Sequence, residues 1–445
     1  MELHELTAAE AAGRIRSGDL SAADYAKALD RRREAVEPRL QALAWYDPDR
    51  FLAAAARSDD ALRSARKSGA DIPPLSGIPL GVKDNMDTAG VPTRSGSRLY
   101  ENNVPSADAA ILGPLYGAGA LLFGKTVTPE LAFIDAGSTR NPWNTAHTPG
   151  GSSSGSAAGV AAGLFPLALG TQTAGSVIRP AAYCGVAAFL PTRGSLPLDG
   201  ILPFSPTLDQ PGLFARCVGD LALAFSTLTG SGLSGSGWPV EPLDRKPFLG
   251  LARRYFIETA EDEMGRMVVH AAKKLASGAA VIHVAHLPES FADVHRCHRL
   301  IMAVELARLH RERFLSDRGS YGTKVSALIE EGLAVPEWGY KKALVHQKLF
   351  RDEMAMHAGE VDAILAPAVP AAAPYGVEST GDPRFNIPWT NAGFPVITLP
   401  GGLSVAGLPM GIQLVGAPGT DLHLLRVALR VEESLDWGRR IAPAA

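Results

Sequence analysis

The segment 148–186 most limits how this 445-residue chain can fold, because it consists almost entirely of small residues and carries one charge, at Arg179. Within it, residues 154–164 are predicted to form a helix with three glycines on one face, at intervals of four residues. Glycines at this spacing let a helix approach a neighbouring backbone closely. A membrane-dimer motif would need an apolar stretch of about 20 residues around it, and no such stretch is present in the sequence. The segment is therefore predicted to pack closely inside a globular core.

Strand-like and helix-like patterns alternate along the whole chain, which favours one α/β domain spanning 1–445. Residues 1–66 are expected to form an N-terminal helical segment, and residues 260–360 are also expected to be mostly helical. A charge-rich helical region at about 238–345 is expected to cover the mouth of the pocket, tuning specificity or making a dimer contact. Residues 231–237, SGLSGSG, are predicted to be a linker or a surface loop. The predicted strands are 76–84, 120–123, 164–170, 363–365, 395–399 and 410–415. A short helix is predicted at 130–134, and a final amphipathic helix is predicted to place Leu424, Ala428, Val431 and Leu435 on one face.

Composition excludes several classes of protein. The formal net charge of −3 gives no electrostatic reason to expect a nucleic acid or an anionic membrane as partner. Three cysteines in so long a chain argue against a disulfide scaffold and fit a reducing compartment. The N-terminus lacks the basic-then-apolar pattern of a signal peptide. We therefore expect a cytoplasmic protein with no nucleic-acid and no membrane partner.

Two short motifs match known functional patterns by letter but not by context. Residues 119–126, GALLFGKT, fit the phosphate-loop pattern G-x4-G-K-T, yet ALLF favours a buried strand over a loop whose amides wrap a phosphate. Residues 151–155, GSSSG, fit the nucleophile-elbow pattern G-x-S-x-G, but the preceding HTPGG cannot form the hydrophobic strand that such an elbow follows. Nucleotide binding and an α/β-hydrolase fold are therefore disfavoured.

A group of histidines with one cysteine superficially resembles a set of metal ligands. The sequence around most of them, FADVHRCHRLIMAVELARLHRERF, has the pattern of an ordinary amphipathic helix. We therefore predict a solvated helix face and no metal site. The residues concerned are His283, His286, His295, Cys297, His298 and His310.

A candidate catalytic group combines one lysine and two serines from three segments. Lys83 ends the apolar segment GIPLGV, where burial would lower its pKa and leave the amine neutral. Ser152 lies just before the predicted helix, whose free N–H groups would stabilise a developing alkoxide. Ser176 lies in GTQTAGSV, where consecutive amides of small residues suit an oxyanion hole. A neutral lysine can accept a serine proton and so activate a nucleophile.

These residues and the sequence around them resemble the amidase signature family. The interval of 24 residues between Ser152 and Ser176 agrees with the family's interval between its two catalytic serines. The resemblance covers most of the chain and implies a mixed, twisted β-sheet core covered by helices on both faces. The matching blocks are GIPLGVKDN (77–85), NPWNTAHTPGGSSSGSAAGVAAG (141–163), GTQTAGSVIRPAAYCGV (170–186), PTLDQPG (206–212), WTNAGFPVITLP (389–400) and GLPMGIQLVG (407–416).

The resemblance implies a role for each candidate residue. By position, Ser176 is the acylated nucleophile, Ser152 the bridging serine and Lys83 the base. The peptide bond between Gly151 and Ser152 is implied to be cis, and Ser153 to support the serine network by hydrogen bonding. The implied oxyanion hole consists of the amides of Thr173, Ala174, Gly175 and Ser176.

The chain departs from the common family pattern next to the nucleophile. The frequent DTGGSIR reads QTAGSVIR here (172–179). This form is similar to malonamidase-like members, which implies that Arg179 and Gln172 bind the substrate, with Arg179 holding a substrate carboxylate. An ion pair that only braces the loop is an equal alternative for Arg179. Ala174 replaces a frequent glycine, and the loop would be strained if that position needed a positive φ.

The resemblance implies an amidohydrolase that cleaves the carboxamide C–N bond of a small or medium substrate and releases ammonia or an amine, without a cofactor or a metal. The alternative is the A-type glutaminase subunit of a tRNA-dependent amidotransferase, which would need partner subunits and usually keeps the GGSIR form. A nucleotide-binding protein using residues 119–126 and an inactive scaffold are two further alternatives. The expected partners are a small-molecule amide and, in a homodimer, a second copy of this chain.

Overall fold

A mixed β-sheet forms the centre of the computed structural model, which describes residues 2–135, 137–231, 240–435, 437–438 and 440–443. The strands are β1 (Leu43–Tyr46), β2 (Pro79–Lys83), β3 (Leu121–Thr126), β4 (Leu167–Gln172), β5 (Ala187–Leu190), β6 (Gln210–Ala215), β7 (Phe248–Leu251), β8 (Val281–Val284), β9 (Ala363–Pro367), β10 (Val396–Leu403) and β11 (Pro409–Val415). Within the described residues they form one 11-stranded sheet in the order β1-β3-β2-β4-β6-β5-β10-β11-β9-β7-β8.

Helices cover both faces of this sheet. Helix α6 contacts β5, β10 and β11 on one face. Helices α7, α8 and α13 also contact strands of this part of the sheet but do not pack extensively on α6. These three helices therefore lie on the opposite face. The α-helices of the described residues are α1 (Ala8–Ser17), α2 (Ala22–Leu40), α3 (Pro48–Ser68), α4 (Leu112–Gly117), α5 (Ser154–Ala162), α6 (Ile178–Cys184), α7 (Val218–Thr229), α8 (Asp262–Ala276), α9 (Val294–Ser316), α10 (Thr323–Ala334), α11 (Glu337–Gly359), α12 (Ile387–Ala392) and α13 (Asp421–Leu435). Among the described residues, no helix is both long and apolar enough to cross a bilayer.

The sheet mixes parallel and antiparallel pairs in a way that matters for the site. Strand β2 lies between β3 and β4 and runs parallel to both. From β4 across the sheet to β9, each strand runs antiparallel to its neighbour, in the sheet order β4-β6-β5-β10-β11-β9. Parallel neighbours end at the same edge of a sheet. The residues that follow β2 and β4 therefore meet at one edge.

Most strands predicted from the sequence are present, with boundaries displaced by a few residues, and β3 occupies the segment that matched the phosphate-loop pattern. The predicted N-terminal helical segment is partly wrong, because β1 separates α2 from α3 and pairs antiparallel with β3 at the sheet edge. Residues 260–360 are mostly helical, as predicted, but β8 interrupts them. Positions 232–237 of the predicted linker lie outside the described residues.

Helix α5 packs closely at its glycines, as its spacing predicts. All nine of its residues are buried. A Cβ atom at Gly155 would collide with the carbonyl of Ala42 and the amide of Val127, and one at Gly159 would collide with the ring of Phe165. Glycine is therefore required at both positions for the helix to lie this near the sheet.

Replacing Gly155 with alanine is expected to destabilise the protein by about 1–3 kcal/mol, because backbone atoms cannot yield to the added methyl group as a flexible side chain would. Urea unfolding followed by circular dichroism measures the effect. Gly219→Ala in α7 is the matched control, since no atom lies within 4 Å of its added Cβ. Equal midpoints for the two variants would contradict the close packing described here.

Candidate active site

Four chain segments meet at the edge of the sheet where β2 and β4 end. Lys83 is the last residue of β2, and Thr171 lies at the end of β4. Ser152 lies just before α5, and Ser176 lies just before α6. The structure thus brings the predicted lysine and both predicted serines to one region.

Lys83 is fully buried and contacts both a serine and a threonine. Its Nζ lies 2.9 Å from Ser152 Oγ and 2.9 Å from Thr171 Oγ1. Asn85 Nδ2 donates to the same Thr171 hydroxyl at 3.0 Å and so fixes its position. Burial lowers the pKa of Lys83 to about 7, and the negative charge of Asp209 opposes this shift. A substantial fraction of the amine is therefore neutral at neutral pH.

The serines are arranged around an unusual backbone. The peptide bond between Gly151 and Ser152 is cis, which confirms the prediction from the resemblance. The Ser153 amide donates to the Ser176 carbonyl at 3.3 Å, and Ser153 Oγ donates to the Thr171 carbonyl at 3.2 Å. Among the hydrogen bonds of the described residues, none joins the side chains of Ser152 and Ser176. Backbone contacts therefore hold the two segments together, and Ser176, which is 9 % exposed, lines a cavity.

The loop that carries the predicted oxyanion hole is held from several sides. Thr173 Oγ1 donates to Asp209 Oδ1 at 2.5 Å, and the Ala174 carbonyl accepts from Thr390 Oγ1 at 2.9 Å. A Cβ at Gly175 would lie 2.6 Å from Asn386 Oδ1, so only glycine fits there. Ala174 does not have a positive φ, and its substitution for glycine introduces no backbone strain.

The side chain of Gln172 forms hydrogen bonds within the protein, whereas the resemblance implies that it contacts the substrate. Its Oε1 accepts from the Val177 and Ile178 amides at 2.8 and 3.1 Å, and its Nε2 donates to Thr390 Oγ1 at 2.8 Å. The side chain is 1 % exposed and does not line the cavity beside Ser176. Gln172 thus satisfies the free N–H groups at the start of α6.

Arg179 lines the cavity and is 1 % exposed. Its Nη1 donates to the Gly381 carbonyl at 3.0 Å, and its Nη2 donates to the Gly151 carbonyl at 2.6 Å and to Thr380 Oγ1 at 3.0 Å. The predicted bracing ion pair is wrong, because no carboxylate of the described residues pairs with Arg179, and its Nε has no hydrogen-bond partner. Burial lowers its pKa to about 10, so the guanidinium stays charged at neutral pH.

The cavity beside Ser176 has a volume of about 410 Å³. Helix α9 lines one side of it with His295, His298 and Met302, and Lys324 of α10 lies at its rim. His298 is 1 % exposed, and its ring lies beside the backbone of Thr173. Burial, with the nearby His295 and Arg193, lowers the pKa of His298 to about 3, so the ring is neutral.

The predicted solvated face for the histidines is therefore only partly right. His283 and His286 are exposed, but Cys297, His298 and His310 are buried. Helix α9 packs against α10, α11 and α12 together, so more than one of its faces is covered. No cluster of three or more metal-ligating side chains occurs within the described ranges.

Lys125, the lysine of the phosphate-loop match, is buried inside β3. Its Nζ donates to Thr93 Oγ1 at 2.7 Å, to Thr88 Oγ1 at 3.2 Å and to the Met86 carbonyl. Asp84 Oδ1 lies 4.0 Å away. Lys125 thus stabilises the segment that follows β2 by hydrogen bonds. Because it lies within a β-strand, its segment does not form the loop that would bind a phosphate.

Sequence reasoning missed Asp209, which lies in the block PTLDQPG. The amides of Phe204 and Ser205 donate to its Oδ2 at 2.8 and 3.0 Å, and its other oxygen holds Thr173. Burial raises the pKa of Asp209 to about 6, so it is mostly charged at neutral pH. The block itself was the available signal, since an aspartate among small and apolar residues needs buried partners.

Replacing Asp209 with asparagine is expected to move the rising limb of the pH–kcat/KM profile to lower pH. Its negative charge raises the pKa of Lys83, and without that charge the lysine loses its proton more readily. The maximum rate should also fall by about tenfold, because asparagine has a single acceptor oxygen, so either Thr173 or the amides of Phe204 and Ser205 lose their acceptor. Glu305→Gln is the control, a buried carboxylate that bonds Ser205, Thr207 and Tyr340. An unmoved limb in Asp209→Asn would contradict the coupling.

Comparison with known proteins places this chain in a family. The family model described as Amidase matches residues 24–425. The A subunit of glutamyl-tRNA(Gln) amidotransferase from Carboxydothermus hydrogenoformans is 34% identical, with 98% of this chain and 99% of that protein covered. The corresponding subunit from Myxococcus xanthus is 33% identical, with 100% of both chains covered.

Solved structures show the same fold. A crystal structure of an amidase superposes with a TM-score of 0.87 at 28% identity, covering 96% of this chain and 99% of that one. The native peptide amidase from Stenotrophomonas maltophilia superposes with a TM-score of 0.82 at 27% identity, covering 99% and 98%. Sequence blocks, sheet order and family match agree over nearly the whole length. The chain therefore belongs to the amidase signature family and is an amide-hydrolysing enzyme.

Proposed function

We propose that this chain hydrolyses a small primary carboxamide through an acyl-enzyme on Ser176, with Ser152 as the bridge and Lys83 as the base. The observation that carries the proposal is the fully buried Lys83, whose Nζ lies 2.9 Å from Ser152 Oγ and whose pKa is lowered to about 7. A lysine in this state can take a proton at neutral pH, which an exposed lysine cannot.

The reaction begins with a proton relay. Neutral Lys83 accepts the proton of Ser152 while Ser152 accepts that of Ser176, whose oxygen attacks the amide carbon. The relay needs the hydroxyl of Ser176 to come within hydrogen-bonding distance of Ser152 when substrate binds. Catalytic hydrogen bonds commonly tighten only in the substrate complex.

The tetrahedral intermediate carries a negative charge on the former carbonyl oxygen. The amides of the 173–176 loop are proposed to donate to that oxygen, and Thr173 and Ala174 are held in place by Asp209 and Thr390. The proton on Lys83 returns through Ser152 to the departing nitrogen, and the C–N bond breaks to release ammonia. Water then attacks the acyl-Ser176 ester by the same relay and releases the acid.

The cavity lining favours a substrate that carries a carboxylate as well as an amide. Arg179 is a charged guanidinium buried beside Ser176 with no ion pair among the described residues, although the charge of Asp382 acts to raise its pKa, and its Nε has no hydrogen-bond partner. Such a buried cation is costly unless an anion compensates it. Neutral His298 lines the same cavity and adds no charge to it.

Replacing Arg179 with glutamine should therefore raise KM for malonamate by about 10–100-fold, with a much smaller change for propionamide, which lacks the carboxylate. Ammonia release from the two amides by the purified chain measures this difference. An equal loss on both would assign Arg179 to bracing Gly151 and Gly381 and would remove the carboxylate from the proposed substrate.

The whole-length relatives favour the amidotransferase subunit over a free-standing amidase. From the sequence, the free-standing amidase is instead the main expectation, and the subunit is the alternative. Each of the two relatives described above is an A subunit of glutamyl-tRNA(Gln) amidotransferase. Glutamine is itself a small carboxamide with a carboxylate, so the pocket chemistry suits this setting too. Ammonia release from glutamine only in the presence of partner subunits and charged tRNA would support the subunit. Release from simple amides by the chain alone would support the free-standing enzyme.

A further inference from the structure

Helix α11 exposes a row of large apolar side chains that nothing in the described structure covers. Trp338, Val345, Leu349 and Met356 are 71%, 70%, 48% and 74% exposed. Their spacing of seven, four and seven residues puts them on one side of the helix, in a stripe about 27 Å long. The opposite side of α11 is buried against α9 and α12. The stripe is therefore not part of the core of this chain.

The order of residues along the α11 stripe is nearly symmetric about Gln347. Trp338 and Met356 lie nine residues before and after it, and Val345 and Leu349 lie two residues before and after it. If a second copy of α11 runs antiparallel across a two-fold axis at this point, each residue faces its symmetric counterpart. Trp338 then packs on Met356 of the second copy, and Val345 packs on Leu349 of the second copy.

Charges beside the stripe follow the same symmetry with opposite signs. Lys342 and Asp352 lie five residues on either side of Gln347, and both are exposed. Lys341 and Glu353 lie six residues on either side. The two-fold axis keeps each flank of the stripe on its own side, so Lys341 lies beside Asp352 of the second copy and Lys342 beside Glu353 of the second copy. Within one copy, Asp352 also pairs with Lys348 at 2.5 Å. A parallel pairing in register would instead place Lys342 opposite Lys342, which is repulsive.

We propose that this face of α11 is the interface of a two-fold symmetric homodimer, in which the α11 helices of two copies pack antiparallel. Both copies use the same surface, as a closed two-fold interface requires. A single pair of helices buries an area at the low end for specific interfaces, so the association should depend on protein concentration. No residue of α11 lines the cavity beside Ser176. The dimer therefore goes beyond the proposed hydrolysis and leaves the cavity open.

Sedimentation equilibrium of the full chain over a wide range of concentration tests the proposal. Val345→Glu should weaken dimerisation by about 100-fold or more, because two-fold symmetry places the buried charge in the interface twice. Leu315→Glu is the matched control, since Leu315 is 68% exposed on α9, away from the stripe. A wild-type chain that stays monomeric would overturn the proposal and leave the stripe to a different protein. Equal association of wild type and Val345→Glu would also overturn it.

Two further variants test the antiparallel register. Lys341→Glu alone should weaken the dimer, and adding Asp352→Lys in the same chain should restore it, because Lys341 and Asp352 lie on the same flank of the stripe and the opposite charges face each other again. Mixing Val345→Cys with Leu349→Cys chains under mild oxidation should give a disulfide-linked dimer, whereas Trp338→Cys with Leu349→Cys should not. The native cysteines are buried and do not compete. A dimer lacking both the charge rescue and the cross-link would reject this interface.

Discussion

Replacing Ser176 with alanine is expected to lower kcat by about 10⁴-fold or more on any amide that the wild-type chain hydrolyses. The nucleophile would be gone, and residual turnover would come only from substrate binding and oxyanion stabilisation. Ser176 is small and its side chain makes no hydrogen bond among the described residues, so alanine should leave the fold intact. Ammonia release measures the effect, and circular dichroism checks the fold.

Two companion measurements make this result specific. A fluorophosphonate probe should label the wild-type chain on the tryptic peptide that contains Ser176 and should not label the variant. Ser154→Ala is the matched control, because Ser154 Oγ donates to the Val127 carbonyl at 3.1 Å and takes no part in the proposed relay. We expect that control to stay within about tenfold of wild type. Turnover near wild type in Ser176→Ala would refute the assignment of the nucleophile.

Replacing Lys83 with arginine or alanine is expected to lower kcat by about 10³-fold or more. Arginine keeps the positive charge but does not lose its proton in the working pH range, so it cannot serve as the base. Because groups that act as a unit lose activity together, the Lys83→Ala/Ser176→Ala double variant should be no worse than Ser176→Ala alone. An active Lys83→Arg enzyme would mean that the lysine acts through its charge.

The pH profile of the wild-type enzyme supplies an independent check on Lys83. The working form is the deprotonated amine, whose fraction rises with pH through its pKa of about 7. Below that pH, kcat/KM should fall about tenfold per unit, and above it the rate should level off. An acid optimum would contradict the role of Lys83 as the base.

Much of the site's arrangement was predictable because the residues that we propose carry the chemistry lie in short blocks. Lys83, Ser152 and Ser176 were identified from their local context and from the family resemblance, and the cis bond before Ser152 followed from the same resemblance. The glycine spacing of α5 predicted close packing, and the apolar ALLF predicted a strand at β3. Each of these inferences uses a pattern contained within about ten residues.

The misses all concern partners that are far apart in the chain. Asp209 and Thr173 are 36 residues apart, and Arg179 contacts carbonyls near positions 151 and 381. The burial of His298 depends on three other helices packing against α9. The sequence predicts β1 as part of a helical segment. Its pairing with β3, about 80 residues away, produces no recognisable pattern in the sequence around β1.

The sequence by itself determined which residues can do the chemistry and which elements carry them, because hydrogen-bonding type, periodicity and backbone preference are local properties. Only the tertiary structure decided that Lys83 is buried against Ser152 and Thr171, that Arg179 faces the cavity without an ion pair, and that the α11 stripe stays exposed. Those outcomes depend on strand order and helix packing, which bring distant segments together and remove water from between them. A pKa near 7 for a lysine is such an outcome, since desolvation is a property of the surroundings and not of the residue.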